Sequence, residues 1–294
     1  MSDWKKCFAG LRPHRREQAK LVLGLIFHRR ATLKWLKYVC AQHTLWARMQ
    51  SAPKLLTRIY RPYGYAPLNC RQRVDVLLNH YSTLEKKGLT GWFNASVFEP
   101  LRLSEIPTKS GHGALMELMS LREGHREGEM SLVLKWQDRV VFSLSFLLSS
   151  TEGHTDLIVT RLQGNRDADG REVIRQATKD FHGYRPAVLI TQAARHLAHV
   201  CSCQRVLLVS NRQRVALNPF RRRQIKTDLD GLWMEMGAQA HSSGFFTLSP
   251  QVDLPDDFNN VVSSKRAQAK RKVVLLRTLL DTMAKHLPTA PNPF

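Results

Sequence analysis

TDLIVTRLQGNRDADGREV, residues 155–173, is the stretch on which the fold turns. Residues 155–163 are rich in apolar and β-branched side chains and predict a strand, while the chain from about 169 to 182 predicts a helix. Between them RLQGNRDADG, residues 161–170, is polar and carries Gly164 and Gly170. A strand passing through a short loop into a helix is the repeating unit of α/β architecture. The loop is also where a phosphate would sit, because the first amides of a helix are unpaired and its dipole is positive there.

Upstream, EMSLVLKW (129–136) and RVVFSLSFLL (139–148) predict two further strands, joined to each other by QD and to the third by the polar STEGH. In the middle strand Val140, Phe142, Leu144 and Phe146 are expected on one face, with Ser143 and Ser145 on the other. The three form an antiparallel meander with one face on a core. Downstream, a second helix over 186–200 leads to QRVLLVSN (204–211), whose four adjacent apolar residues predict a strand covered on both faces. Across a helical connection it is expected to lie parallel to an earlier strand. GFFTLSP (244–250) predicts a last strand. SSKRAQAKRKVVLLRTLLDTMAKHL predicts a closing helix with Val273, Leu276, Leu280 and Met283 on one face, before a loose PTAPNPF tail.

From about residue 15 to 90 the period is helical, in EQAKLVLGLIFHRR, ATLKWLKYVCAQHTLWARM and CRQRVDVLLNHYSTLEKKG, with RIYRPYGYAP as a break. The expected fold class is therefore α/β: a helical N-terminal region, then a mixed, mostly antiparallel sheet with helices. The expected division is a basic helical region over 1–90 and an α/β domain over 91–294 with a basic C-terminal helix.

The chain has 294 residues and a formal charge of +21, which suits anionic partners. Residues 1–73 hold 16 Lys and Arg against Asp3 and Glu17, a net +14. Leu33, Leu36 and Val39 or Cys40 make an apolar stripe on a basic helix. That stripe either docks on acidic lipid, through cations flanking Trp35, Leu36 and Trp46, or packs on the rest of the protein. Cys7, Cys40, Cys70, Cys201 and Cys203 have neither CxxC pairing nor metal-ligand spacing, and a reducing compartment suits them. The longest apolar run at the N-terminus, LVLGLIF, is too short to span a bilayer. A cytoplasmic protein, peripheral at most on a membrane, is the expectation.

The order of meander, loop, helix and buried strand ending in Asn211 resembles the acetyltransferase-like (GNAT) fold. That resemblance implies a coenzyme A thioester near Gln163, Gly164, Arg166, Arg171 and Asn211, with Arg161 adding charge. The loop departs from the family pattern, because Gln163 is followed at once by Gly164 and the next glycine is Gly170. Asp169-Gly170-Arg171-Glu172 also fits a capping box, and with Asp167 it puts carboxylates where a diphosphate needs amides.

In TKDFHGYRP (178–186), Lys179 and Arg185 are candidate anion ligands and His182 a candidate acid or base. Gly183 and Pro186 equally suit the end of one helix and the start of the next. Glu235, beside Trp233 and Met234, is a second catalytic candidate if burial raises its pKa; an edge carboxylate paired with an arginine explains it without chemistry. GxSxG, Walker and HExxH motifs are absent. RRRQIK (221–226) and KRAQAKRK (265–272) can contact nucleic acid phosphates, but no recognition motif accompanies them.

Taken together, RVVFSLSF, RLQG, TKDFHGYRP, LLVSN, DGLWMEMG and KRAQAKRK resemble the VirK/YbjX family of Gram-negative bacteria; MEMG lacks the second glycine of the family form. The resemblance implies a role in virulence, envelope stress and tolerance of antimicrobial peptides at the inner face of the membrane. Anionic phospholipid or an envelope-biogenesis protein would then be the partner. It supplies no catalytic set, so Gln163, Gly164, Lys179, His182, Gly183, Arg185, Pro186, Ser210 and Asn211 are shared-motif positions without roles. An acyltransferase using acyl-CoA and a nucleic-acid-binding regulator are the alternatives.

Overall fold

The computed structural model describes Ala9 and residues 14–151, 153–215 and 228–287. Cys7, the RRRQIK segment and the PTAPNPF tail lie outside the described residues.

The chain begins with helices α1 (Arg15–Phe27), α2 (Arg29–Ala41) and α3 (His43–Ser51), a 3-10 helix (Pro53–Tyr60), then α4 (Cys70–Lys86) and α5 (Thr90–Phe98). The expected helices are there, with a break at Gln42 inside the second. Helix α4 starts on a full capping box, Asn69 accepting from the Gln72 amide while Gln72 accepts from that of Asn69. Helix α1 is pinned to its neighbours at Gly24. A Cβ there would run into the Tyr60 ring, and Thr32 Oγ1 donates 3.0 Å to the Gly24 carbonyl. Trp35 and Leu36 are buried, and Trp46 packs partly buried against the same core. The α2 stripe therefore belongs to the interior, and Trp35 and Leu36 present nothing to lipid.

An eight-stranded sheet follows, in the order β1-β2-β3-β4-β5-β6-β8-β7. Its strands are β1 (Leu101–Ile106), β2 (Ala114–Ser120), β3 (Met130–Trp136), β4 (Arg139–Thr151), β5 (His154–Gly164), β6 (Arg205–Leu208), β7 (Gln239–Ala240) and β8 (Phe246–Leu248). All pairs are antiparallel except β5 with β6, as the buried LLVSN run implies. Helices α6 (Gly170–Asp180) and α7 (Pro186–Val200) make the crossover; α8 (Leu229–Glu235) and α9 (Ser263–His286) complete the chain. Beyond the end of β3, helix α4 takes its place beside β4. The Leu148 amide donates 2.9 Å to His80 Nδ1, and the Asn79 amide group pairs with both N and O of Ser150.

Two register slips correct the expected pattern of β4. One falls between Leu134 and Lys135, so that Leu134 faces Phe142 and Lys135 faces Val140. Val141 is the extra residue; it is fully buried and Val140 only partly. Ser143 and Ser145 are buried as well, and Ser145 is hydrogen-bonded to Ser131, so the second face of β4 is a covered polar strip. The other slip leaves Thr160 unpaired between Val159, opposite Phe146, and Arg161, opposite Ser145. The Thr160 hydroxyl is taken by the carbonyls of Ser145 and Glu127, which ties the segment between β2 and β3 to this bulge.

Candidate anion-binding site

Register fixes where the β5 side chains point. Gly164 pairs with Phe142 and packs under Ile174 of α6, so close that an added Cβ would lie 3.0 Å from that side chain. Arg161 and Gln163 pair with Ser145 and Ser143, so they stand on the opposite, polar face. There the chain from Arg122 to Glu127 crosses over them. Arg161 Nη1 lies 3.2 Å from His125 Nδ1, and its Nε lies 4.0 Å from Glu127. Arg166 donates 2.5 Å to the Gln163 side-chain oxygen Oε1.

This brings three further guanidinium groups within range of Arg161. Arg161 feels Arg122, Arg166 and Arg214, and His125 feels Arg122, Arg161 and Arg166. Opposing them are Glu127, which acts on Arg161 and Arg214, and Asp230, which acts on Arg214. Burial draws Arg122, Arg161 and Arg214 below the usual arginine range, and the neighbouring cations draw Arg161 further. Burial, then Arg122, Arg161 and Arg166, pushes His125 down to about 3. A guanidinium can only donate, so His125 Nδ1 accepts, and the neutral ring carries its proton on Nε2. Arg122 Nη1 is enclosed and makes no hydrogen bond among the described residues. The cluster lies toward the carboxyl ends of β5 and β6, the end at which open α/β sheets take ligands. Strand β5 runs on to Gly164 past its last pairing with β6, that of Val159 with Leu208.

The loop itself is divided by charge. Asp167 and Asp169 both close on Arg139, the first residue of β4, at 3.1 and 2.6 Å. Asp169 makes no side-chain cap, and Glu172 pairs with Arg175 and Gln176 instead, so the capping box expected there does not form. The amides of Gly170 and Glu172 are held by the carbonyls of Asp167 and Asp169. Gly170 is required by contact, since a Cβ would lie 2.7 Å from the Asn165 carbonyl. The aspartates are thus drawn to one side and Arg166 to the other, while Arg171 is exposed at the start of α6.

Asn211 works as a brace. It accepts from the Leu229 amide, donates to Asp228, and its own amide donates to Asp230. Lys179, His182 and Arg185 lie at the far end of α6, an 11-residue helix and so about 16 Å long. They are not brought together with Gln163 and Arg166. His182 has φ +55° and Gly183 φ +81° at this helix end, and the His182 carbonyl accepts from Gln268 of α9. Arg185 pairs at 2.5 Å with Glu235, which is exposed, so Glu235 is the edge carboxylate paired with an arginine and not a buried one. Asp180, beside them, is the buried carboxylate: burial pushes it up, but Ser110, Thr108 and Trp136 donate to it and hold it below the usual range. Cys201 and Cys203 are buried thiols that burial pushes up, Cys201 to about 12. No described helix is long and apolar enough to cross a membrane.

Arg122, His125 and Arg214 were not legible beforehand. They lie as far as about 50 residues from Arg161 in the chain; the crossing segment tied to Thr160 brings Arg122 and His125, and the parallel β5–β6 pair brings the chain that carries Arg214.

The chain is 24% identical over 285 residues to the uncharacterized protein YbjX of Escherichia coli (strain K12), covering 95% of this chain and 86% of that protein. An uncharacterized protein of Haemophilus influenzae (strain ATCC 51907 / DSM 11121 / KW20 / Rd) is 22% identical over 163 residues, 55% of this chain and 54% of its own. No solved structure matches. The likeness to YbjX bears out the family resemblance carried by the RLQG, TKDFHGYRP and LLVSN motifs. With residues 11–285 matching its pattern, the chain belongs to the family described as "Protein of unknown function (DUF535)".

Proposed function

We propose that this protein binds a phosphate-bearing small molecule in the recess formed by Arg122, His125, Arg161, Gln163, Arg166 and Arg214. The observation that carries it is the enclosed, unbonded Arg122 Nη1 among cations that, among the described residues, outnumber the carboxylates acting on them. Gathering like charges in a partly buried site costs stability, and an anion that reaches several guanidinium forks at once offsets that cost. His125 adds a neutral N–H donor in place of a fifth charge.

Acyl transfer from a coenzyme A thioester is the reaction that suits the location best. The support is topological: a bulged β4–β5 pair beside a parallel β5–β6 pair that ends at Val159 and Leu208, with the cations at its mouth. The ligand's phosphates would then meet side-chain guanidinium groups, since the start of α6 has few unpaired amides. The roles in virulence and envelope stress that the family likeness implies are the cellular setting we assign to this activity.

Thermal melting of the full chain with inorganic pyrophosphate, coenzyme A and acetyl coenzyme A separates the two levels of the proposal. Stabilisation by pyrophosphate supports the anion site, and a larger shift with the thioester supports acyl transfer. No shift with any of the three sinks both.

A further inference from the structure

Helix α1 carries an outward apolar face. Val22, Leu23, Ile26 and Phe27 are 41%, 52%, 66% and 72% exposed, whereas Glu17, Leu21 and Gly24 are buried on the opposite side. At about 100° per residue the four exposed side chains span roughly 140° of the helix circumference. Their outward direction is fixed, because Tyr60 packs on Gly24 and leaves no room for α1 to rotate. Beside Ile26 and Phe27 a groove of about 680 Å³ runs between α1, the start of α2 and the start of α4, lined also by Arg29, Arg30, Lys34 and Arg71.

The charge around this face is predominantly positive. Residues 15–34 contain six Lys and Arg and one acid, Glu17, which is buried and paired with Lys20. Lys34 is paired with Asp75, so Arg15, Arg16, Arg29, Arg30 and Arg71 set the local field. Large apolar side chains ringed by arginines match the boundary between lipid headgroups and acyl chains, where the apolar part is buried and each cation gains from anionic lipid. A second copy of the chain would bring the same cations face to face.

We propose that the outward face of α1, with Ile26 and Phe27 at its tip and Arg29, Arg30 and Arg71 around it, docks the protein on an anionic phospholipid surface. The surface is separate from the phosphate recess and does not depend on it. Its occupant is the membrane interface itself, with the arginines on lipid phosphates and the apolar tip below them.

The test is co-sedimentation of the full chain with vesicles of phosphatidylglycerol and phosphatidylcholine, and with phosphatidylcholine alone, across salt. Wild type is expected to bind the anionic vesicles at least tenfold more tightly, less so as salt rises. Ile26→Asp with Phe27→Asp, and separately Arg29→Glu with Arg30→Glu, should each lower that binding at least tenfold with an unchanged melting temperature. Equal binding to both vesicle types, or both double variants binding as wild type does, overturns the proposal. So does a dimer in analytical ultracentrifugation that Ile26→Asp with Phe27→Asp dissolves, because the face would then belong to a second copy. A large fall in the melting temperature of both double variants also overturns it, because the face would then be covered within the folded chain.

Discussion

Arg161 Nη1 donates to His125 Nδ1 across 3.2 Å, which leaves His125 neutral with its proton on Nε2, facing the same recess as Arg122 and Arg166. Without an anion the cations and burial hold His125 down at about 3. An anion in the recess offsets those cations and raises the value. Binding of sulfate, whose own charge is constant above pH 4, should therefore take up protons, increasingly so as pH falls toward 4. Calorimetry in buffers of different ionisation enthalpy measures that uptake, and His125→Gln should abolish it while keeping weaker binding.

Arg122→Met gives a signature that distinguishes a binding residue from a structural one. It removes a partly buried charge whose Nη1 is enclosed without a hydrogen bond, so the ligand-free protein should gain about 1 kcal/mol in urea unfolding. The same change should cost about tenfold or more in affinity for pyrophosphate. A loss of stability would place Arg122 among the structural groups instead.

The join between the N-terminal helices and the sheet rests on Glu129. It is fully buried, pairs with Arg58 at 2.5 Å, and accepts from the hydroxyls of Tyr63 and Tyr81. Arg58→Met leaves the carboxyl group buried without its cation and should cost about 3–5 kcal/mol. Adding Glu129→Gln should recover part of the loss, and a double-mutant cycle by chemical denaturation measures the coupling.

Acid should weaken the fold well above the carboxylate range. Burial pushes His80 down to about 4, and burial with three arginines pushes His125 to about 3, against roughly 6.5 in the unfolded chain. Both folded values are depressed, so the unfolded state binds more protons below pH 6.5. The contribution is complete above that pH and is lost as pH falls through the window toward 4 and 3. The share of fully buried His80 reaches roughly 3 kcal/mol by pH 4. Urea midpoints from pH 7 to 4.5 should fall, with a shallower slope in His80→Gln.

Gly128→Ala should destabilise by about 1–3 kcal/mol, because its Cβ would lie 2.8 Å from the Phe146 carbonyl oxygen and 2.9 Å from its nitrogen. Backbone cannot yield as a side chain can. Thermal melting checks the cost, and weaker anion binding in the same variant is expected from the displaced Glu127 and His125.

The meander, the α6–α7 crossover and the parallel β6 were legible because each carries its own period and turn residues. Strands β1 and β2 were not recognised, although Ala114–Ser120 is largely buried; Glu117 sits inside it, paired with Lys135 of β3, and blurs the alternation. The capping box at Asp169 failed for a non-local reason, since Arg139, 30 residues away, takes both carboxylates of the loop. Trp35 and Leu36 sit on a basic helix, yet the apolar face left outside belongs to α1, a distinction that packing decides and periodicity does not. Of the expected site residues, Gln163 and Arg166 are bonded to each other beside Arg161, while Asn211 braces α8 and Lys179, His182 and Arg185 lie at the other end of α6.

The most direct measurement is isothermal titration of the full chain with inorganic pyrophosphate, alongside Arg122→Met and Lys179→Ala. The recess predicts one site per chain that weakens with salt, is lost or nearly lost in Arg122→Met, and is unchanged in Lys179→Ala. No saturable binding, or equal affinity in wild type and Arg122→Met, would contradict it.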